Sequence, residues 1–258
     1  MFTFQKLFHA VCWGIGLVTL AAGSTAFSQE NLICADWAEI RENAYLVSNN
    51  VWGKAEITDY QQCISKTQQE GTTQFGWTWN WPGNGGQVKS YPEIIYGWKP
   101  WNSESTTPAL PVKLADLKEA TVTYDTSISA TGTYNLAFDV WITQDAVSNP
   151  DNITHEVMIW PVNSGMHAAG KLVQEVTIGD DTYELYKGSV GHADWTYIAF
   201  VNVSPKFSGI VNIHDILKYL QQEQYLAPDA YVAAIEFGNE VIEGEGAVTL
   251  RNYAITVK

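Results

Sequence analysis

Apolar and polar residues alternate through much of the chain after residue 45. The pattern is clearest from Tyr134 to Ile142, where Tyr134, Leu136, Phe138, Val140 and Ile142 share one face and Asn135, Ala137, Asp139 and Trp141 the other. Ala120 to Ile128 alternates in the same way, and Thr131-Gly132-Thr133 reads as the turn between the two strands. A third run, His155-Glu156-Val157-Met158-Ile159-Trp160-Pro161, sends Val157 and Ile159 one way and Glu156, Met158 and Trp160 the other. A glutamate that shares its face with a thioether and an indole suits a groove that stacks flat rings beside an acid. The plainer alternative is an edge-strand glutamate beside two core residues.

Short β-type runs separated by Gly, Asn, Asp and Pro clusters fill the remainder. Tyr45 to Gly53 reads as a strand ending in an Asn-rich turn, and Gly76 to Trp81 as a strand with Trp77, Trp79 and Trp81 on one face. Val88 to Trp98 is extended and broken at Pro92, Trp101 to Pro111 is a long polar loop, and Asn149 to Asn152 is a turn. Later strands are expected at Leu172 to Ile178, Thr182 to Lys187, Thr196 to Val203, Tyr231 to Phe237 and Ala247 to Thr256. One helix interrupts them: Ile213, Ile216, Leu217 and Leu220 recur at helical spacing after an N-cap Asn212, with Asp215 in the first turn. Its expected role is structural cover for a sheet. The fold class is all-β, a β-jelly-roll sandwich of two antiparallel sheets with a concave cleft and one α-helix.

The first residues stand apart. Lys6, the apolar run Leu7 to Ala22 and the small residues near Ala26 read as a secretory signal peptide over residues 1–28, which leaves residues 29–258 as one domain. An uncleaved anchor is the alternative, but Gly14, Gly16 and Thr19 interrupt a run shorter than the ~20 residues a spanning helix needs. The protein is therefore expected to be secreted, with no membrane association after cleavage, and monomeric. The net charge of -14 argues against nucleic acid as a partner. Eleven Trp and thirteen Tyr in a chain with 16% charged residues suit a neutral ligand with flat apolar faces, although large sandwiches also bury tryptophan. With Cys12 in the signal, Cys34 and Cys63 are left as a disulfide or as two buried thiols. His155, His167, His192 and His214 show no ligand spacing, so neither metal nor cofactor is expected.

A catalytic Glu156 needs a second acid. Glu240 closes Ala234-Ile235-Glu236-Phe237-Gly238-Asn239-Glu240, where Ile235 and Phe237 point to the core and Glu236, Gly238 and Glu240 point away. Gly238 would leave room for substrate at the backbone. Glu236, deeper in the strand, fits a supporting hydrogen-bond role. By spacing alone, Glu240 could equally be a solvated loop acid before Glu243 and Glu245.

Asn49-Asn50-Val51-Trp52-Gly53, Val88-Lys89-Ser90-Tyr91-Pro92, Asp139, Glu156-Val157-Met158-Ile159-Trp160 and Phe237-Gly238-Asn239-Glu240 together resemble glycoside hydrolase family 12, in order across almost the whole chain after the signal. The resemblance implies a secreted retaining endo-β-1,4-glucanase acting on cellulose, mixed-linkage β-glucan or xyloglucan. It implies Glu156 as nucleophile, Glu240 as general acid/base and Asp139 as the aspartate that hydrogen-bonds the nucleophile. Carboxyls this close must differ in pKa, with Asp139 or Glu240 holding a proton while Glu156 stays ionised. Asn50, Trp52, Lys89, Met158 and Trp160 match the substrate-binding positions, and the spacing of Cys34 and Cys63 resembles a family disulfide. The chain departs from the family at Asn239, where threonine is usual, at Pro161, where leucine is common, and over Met166-His167-Ala168-Ala169. The competing reading is a non-catalytic glucan-binding β-sandwich module, which has no need of a second acid.

Overall fold

The computed structural model describes residues 32–83, 85–191 and 193–258. The expected signal with Cys12, together with Asn84 and His192, lies outside the described residues. In chain order the strands are β1 (Leu32–Ile33), β2 (Glu39–Glu42), β3 (Tyr45–Ser48), β4 (Gln61–Gln69), β5 (Thr72–Trp81), β6 (Glu93–Gly97), β7 (Val112–Lys113) and β8 (Ala120–Ala130). They continue as β9 (Thr133–Thr143), β10 (Ile153–Ser164), β11 (Lys171–Ile178), β12 (Asp181–Gly188) and β13 (Thr196–Asn202). After β14 (Ser208–Asn212) comes the helix α1 (Ile213–Gln222), then β15 (Tyr231–Gly238) and β16 (Val241–Val257).

The strands form two layers. The inner sheet runs β2-β3-β6-β15-β9-β10-β13-β12-β11, with β7 also on β15, and the outer sheet runs β1-β4-β5-β16-β8-β14. Their pairings are antiparallel except β10 with β13, which lie parallel. The first residues of β16, Val241 and Glu243, pair with β9, while Gly244 to Leu250 pair with β5, so one strand belongs to both layers.

Alternation sorts the side chains as expected. Phe138, Val140, Val157, Ile159, Ile235 and Phe237 from the inner sheet enter the same core as Trp77, Val122, Tyr124 and Val248 from the outer one. Tyr124 meets Phe138 and Phe237 with ring centroids 5.5 and 5.4 Å apart, which seals the two layers together. Trp77, Trp79 and Trp81 belong to this core, so much of the aromatic surplus is packing. In α1, Ile213, Ile216, Leu217 and Leu220 are buried against the sandwich, each worth about 1.5–3 kcal/mol by area. The Asn212 side chain caps it by accepting from the Asp215 N–H at 3.2 Å.

The structure differs from the pattern reading in places. Gln61–Gln69 forms a full strand whose center is buried, although its polar composition gives no strand signal. The last strand starts at Val241, six residues before the alternation becomes plain at Ala247. Asn149–Asn152 is a capped 3-10 turn: Asn149 accepts from the Asp151 N–H, and Pro150 supplies the preset φ of a first helical residue. A disulfide joins Cys34 to Cys63, tying the N-terminal segment to β4.

Candidate active site

Three neighboring strands of the inner sheet carry the acids. In β10 the residues that turn from the core are Glu156, Met158 and Trp160. Across the ladder Glu156 pairs with Trp141 of β9 and Met158 with Asp139, and Asp139 in turn faces Glu236 of β15. Glu240 follows β15 and returns to the far end of β9: the Asn135 N–H donates to its carbonyl at 3.0 Å, its own N–H donates to Asn135 Oδ1 at 2.9 Å, and Asn135 Nδ2 donates to its Oε2 at 2.5 Å. The chain thus clamps Glu240 by one asparagine and aims it along the same face as Glu156. A half-buried acid held by three hydrogen bonds to one asparagine differs from a freely solvated loop acid.

Each carboxyl has its own environment. Glu156 is 9% exposed, and its Oε2 accepts from Trp195 Nε1 at 2.8 Å. Burial pushes its pKa up to about 7, while the Trp195 bond and the charge of Lys99 hold it down. Glu240 is also pushed up to about 7, first by burial and then by the charge on Glu156, with the Asn135 bond opposing. Asp139 lies well above the usual carboxylate range because it is buried and faces Glu156 and Glu236. Among the described residues its Oδ1 is buried without a partner, and no hydrogen bond joins it to Glu156. The raised values at Asp139 and Glu240 lie in the direction expected of groups that hold a proton. The raised Glu156 is a difference from the expected pattern, caused by burial in the strand face that makes it conspicuous in the sequence.

The other expected site residues divide. Trp52 is 56% exposed and free to present its ring. Asn50 is buried beneath it: its Oδ1 accepts from the Trp52 N–H at 3.0 Å and its Nδ2 donates to Glu93 Oε1 at 2.8 Å, so it fixes the platform from below. Lys89 Nζ donates to the Ile242 carbonyl, and its backbone bonds Gly53 and Val241, so it ties the Trp52 turn to the segment after Glu240. Met158 and Trp160 are floor residues, buried with Ala137 and Tyr197, and the Met158 sulfur accepts from Trp160 Nε1 and Tyr197 Oη at 3.4 Å each. The expected space at Gly238 is filled by protein. A Cβ there would stand 2.3 Å from the Pro92 carbonyl oxygen, so the glycine admits β6, not a ligand. Asn239 is a buried tie that accepts from Trp77 Nε1 at 2.7 Å and donates to the Asn135 carbonyl.

Several functional neighbors escape the pattern reading: Lys99, Glu93, Asn135, Trp195 and Trp101. The one signal available was an acid inside a wholly apolar strand, present at Glu93 as at Glu236. Trp101, 51% exposed, meets Trp141 and Trp195 edge-on with centroids 4.9 and 6.2 Å away, forming an aromatic wall beside Glu156. Among the described residues no group of three or more His, Cys, Asp or Glu is arranged to hold a metal ion.

Comparison with known proteins follows this geometry. The chain is 33% identical to endoglucanase S of Pectobacterium parmentieri over 99% of its own length and 96% of that protein. It is 25% identical to a xyloglucan-specific endo-beta-1,4-glucanase A of Emericella nidulans, over 94% of this chain and 98% of that one. The solved family 12 xyloglucanase of Bacillus licheniformis superposes with a TM-score of 0.81 at 32% identity, covering 88% of this chain and 99% of that one. The sequence profile of Glycosyl hydrolase family 12 matches residues 43–258, which include every acid described above, and the chain belongs to that family.

Proposed function

We propose that the protein is a secreted, retaining endo-β-1,4-glucanase that cleaves internal bonds of cellulose, mixed-linkage β-glucan or xyloglucan. The observation that carries the reading is that Asn135 of β9 holds Glu240 beside the strand next to Glu156, where burial and the charge of Glu156 both raise it. A binding module gains nothing from two acids, one buried and one half-buried, raised toward neutrality. The relatives named as an endoglucanase and as xyloglucanases support the same substrate class.

In the proposed double displacement, ionised Glu156 attacks the anomeric carbon as protonated Glu240 gives its proton to the leaving oxygen. The C–O bond breaks and a glycosyl ester on Glu156 forms. Glu240, now a carboxylate, takes a proton from water, which attacks the same carbon and restores both groups. Asp139, protonated and opposite Met158, keeps a second negative charge away from Glu156. Trp52 offers a stacking face to a sugar ring.

Reducing-end release from carboxymethylcellulose, mixed-linkage β-glucan and xyloglucan tests the activity and ranks the substrates. Proton NMR of the first product tests the stereochemistry, with the β-anomer expected. Glu156→Gln should lose turnover by orders of magnitude and still bind oligosaccharide. Full activity in that variant would refute the nucleophile, and glucan binding without cleavage by the wild type would favor the module.

A further inference from the structure

The proposed reaction uses one carboxylate and one carboxylic acid, yet five carboxyls converge here: Glu93 on β6, Glu236 on β15, Asp139 on β9, Glu156 on β10 and Glu240 after β15. Among the described residues their ion pairs run to Lys99 alone. Its Nζ lies 2.9 and 3.0 Å from the two oxygens of Glu93 and 2.8 Å from Oε2 of Glu236. Both acids are wholly buried, and the Lys99 side chain is 12% exposed. Gly97 makes this return possible: with φ of +109° it turns the chain after β6 where a Cβ would meet the Ala233 carbonyl oxygen at 2.5 Å. On the solvent side the Trp101 ring stands 6.0 Å from Nζ.

Hydrogen bonding orders the charges. Glu93 accepts from Lys99 and from Asn50, which makes it the best hydrogen-bonded carboxyl of the set. Among the described residues Glu236 keeps Oε1 buried without a partner; it lies against Glu93, and burial together with that neighbor raises it well above the usual carboxylate range. Burial acts on the Lys99 ammonium in the opposite sense, but Glu236 and Glu93 outweigh it and Lys99 stays charged. Glu236 faces Asp139 on β9, the strand beside Glu156, and the Trp101 ring near Nζ meets Trp195, the donor to Glu156; Glu156 thus has both a hydrogen bond and the charge of Lys99 in favor of its anion, whereas Glu240 meets the charge of Glu156 instead. Among the described residues the buried hydroxyls of Tyr91 and Tyr197 also face the cluster, and burial with the neighboring acids holds both neutral.

We infer that Lys99 is a positioning residue whose ammonium, anchored between Glu93 and Glu236, selects Glu156 as the ionised carboxyl of the cluster and so sets the acid limb of the pH-rate profile. The inference rests on the proposed role of Glu156 as nucleophile. It is tested by kcat/KM on xyloglucan or carboxymethylcellulose between pH 4 and 9 for wild type, Lys99→Met and Lys99→Arg, together with a carbon-13 NMR titration of the Glu156 carboxyl. In Lys99→Met the acid limb and the Glu156 midpoint should both move up by about one pH unit, a tenfold loss on the acid side that is regained at higher pH. The limb governed by Glu240 should move less, and Lys99→Arg should restore the wild-type limb. Lys99→Met/Glu236→Gln, which removes one acid along with the cation, repeats the test in a cluster easier to fold. An unmoved acid limb, or a loss equal at every pH, overturns the inference while leaving the hydrolase reading in place. A wild type that cleaves no glucan fells that reading instead, and the NMR midpoint then still decides whether Lys99 governs Glu156.

Discussion

At the scale of single residues, the departure from the family at Asn239 has a physical account. Its Oδ1 receives the Trp77 indole and its Nδ2 bonds the Asn135 carbonyl, so one buried amide ties an outer-sheet tryptophan to the asparagine that clamps Glu240. Asn239→Ala would leave a donor and an acceptor buried and unpaired, at a cost of about 2 kcal/mol or more. Asn239→Thr, keeping one hydroxyl, should cost less. Urea denaturation measures both, and activity should fall with the alanine variant because Asn135 loses its brace. Trp52 presents the opposite case. It is 56% exposed, so Trp52→Ala should leave stability within about 0.5 kcal/mol of wild type. Loss of a stacking face worth about 1 kcal/mol should raise KM roughly fivefold, and an unchanged KM would remove Trp52 from the binding surface.

At the scale of elements, α1 depends on its cap. Asn212→Ala frees the first-turn N–H groups and should destabilise the protein by about 1 kcal/mol, read as a lower denaturation midpoint with an unchanged slope. This helix was legible because four apolar residues at helical spacing and a capping residue are local signals. Strands β8 and β9 were legible for the same reason, as strict alternation on either side of Gly132, although the turn between them carries the chain from the outer sheet to the inner one and the two strands do not pair. Strand β4 was not. Its buried Gln62 spends its amide on the Asn50 carbonyl and on Trp81 Nε1, so a polar residue does the work of an apolar one through partners far along the chain. The site shows the same division. Glu156 stands out because its own strand frames it. Lys99 does not, since its meaning comes from Glu236, which lies 137 residues away. Gly238 misled for a related reason, because the space beside a strand glycine is assigned by whichever strand packs there.

At the scale of the whole molecule, a strongly acidic chain has gathered carboxyls into its interior, and this sets a pH dependence of stability. Burial raises the pKa of Glu156 in the fold to about 7, from an ordinary value of 4.5 when unfolded. Below pH 4.5 both states carry the proton and Glu156 costs nothing. As pH rises through that value the unfolded chain releases its proton first, so the folded state loses stability until pH passes about 7, where the full penalty is reached. Each pKa unit is worth about 1.4 kcal/mol, which puts the penalty on the order of 1–3 kcal/mol after allowance for coupling to Asp139. Glu156→Gln removes the titration and keeps the shape. Thermal melts of wild type and variant should therefore converge near pH 4 and separate by several degrees by pH 8, with the variant the more stable. Surface charges act on both proteins alike, so the difference between the two curves isolates this one carboxyl. Parallel curves across that range would mean that Glu156 titrates in the folded protein as it does in water, and the burial argument for its role would fail with them.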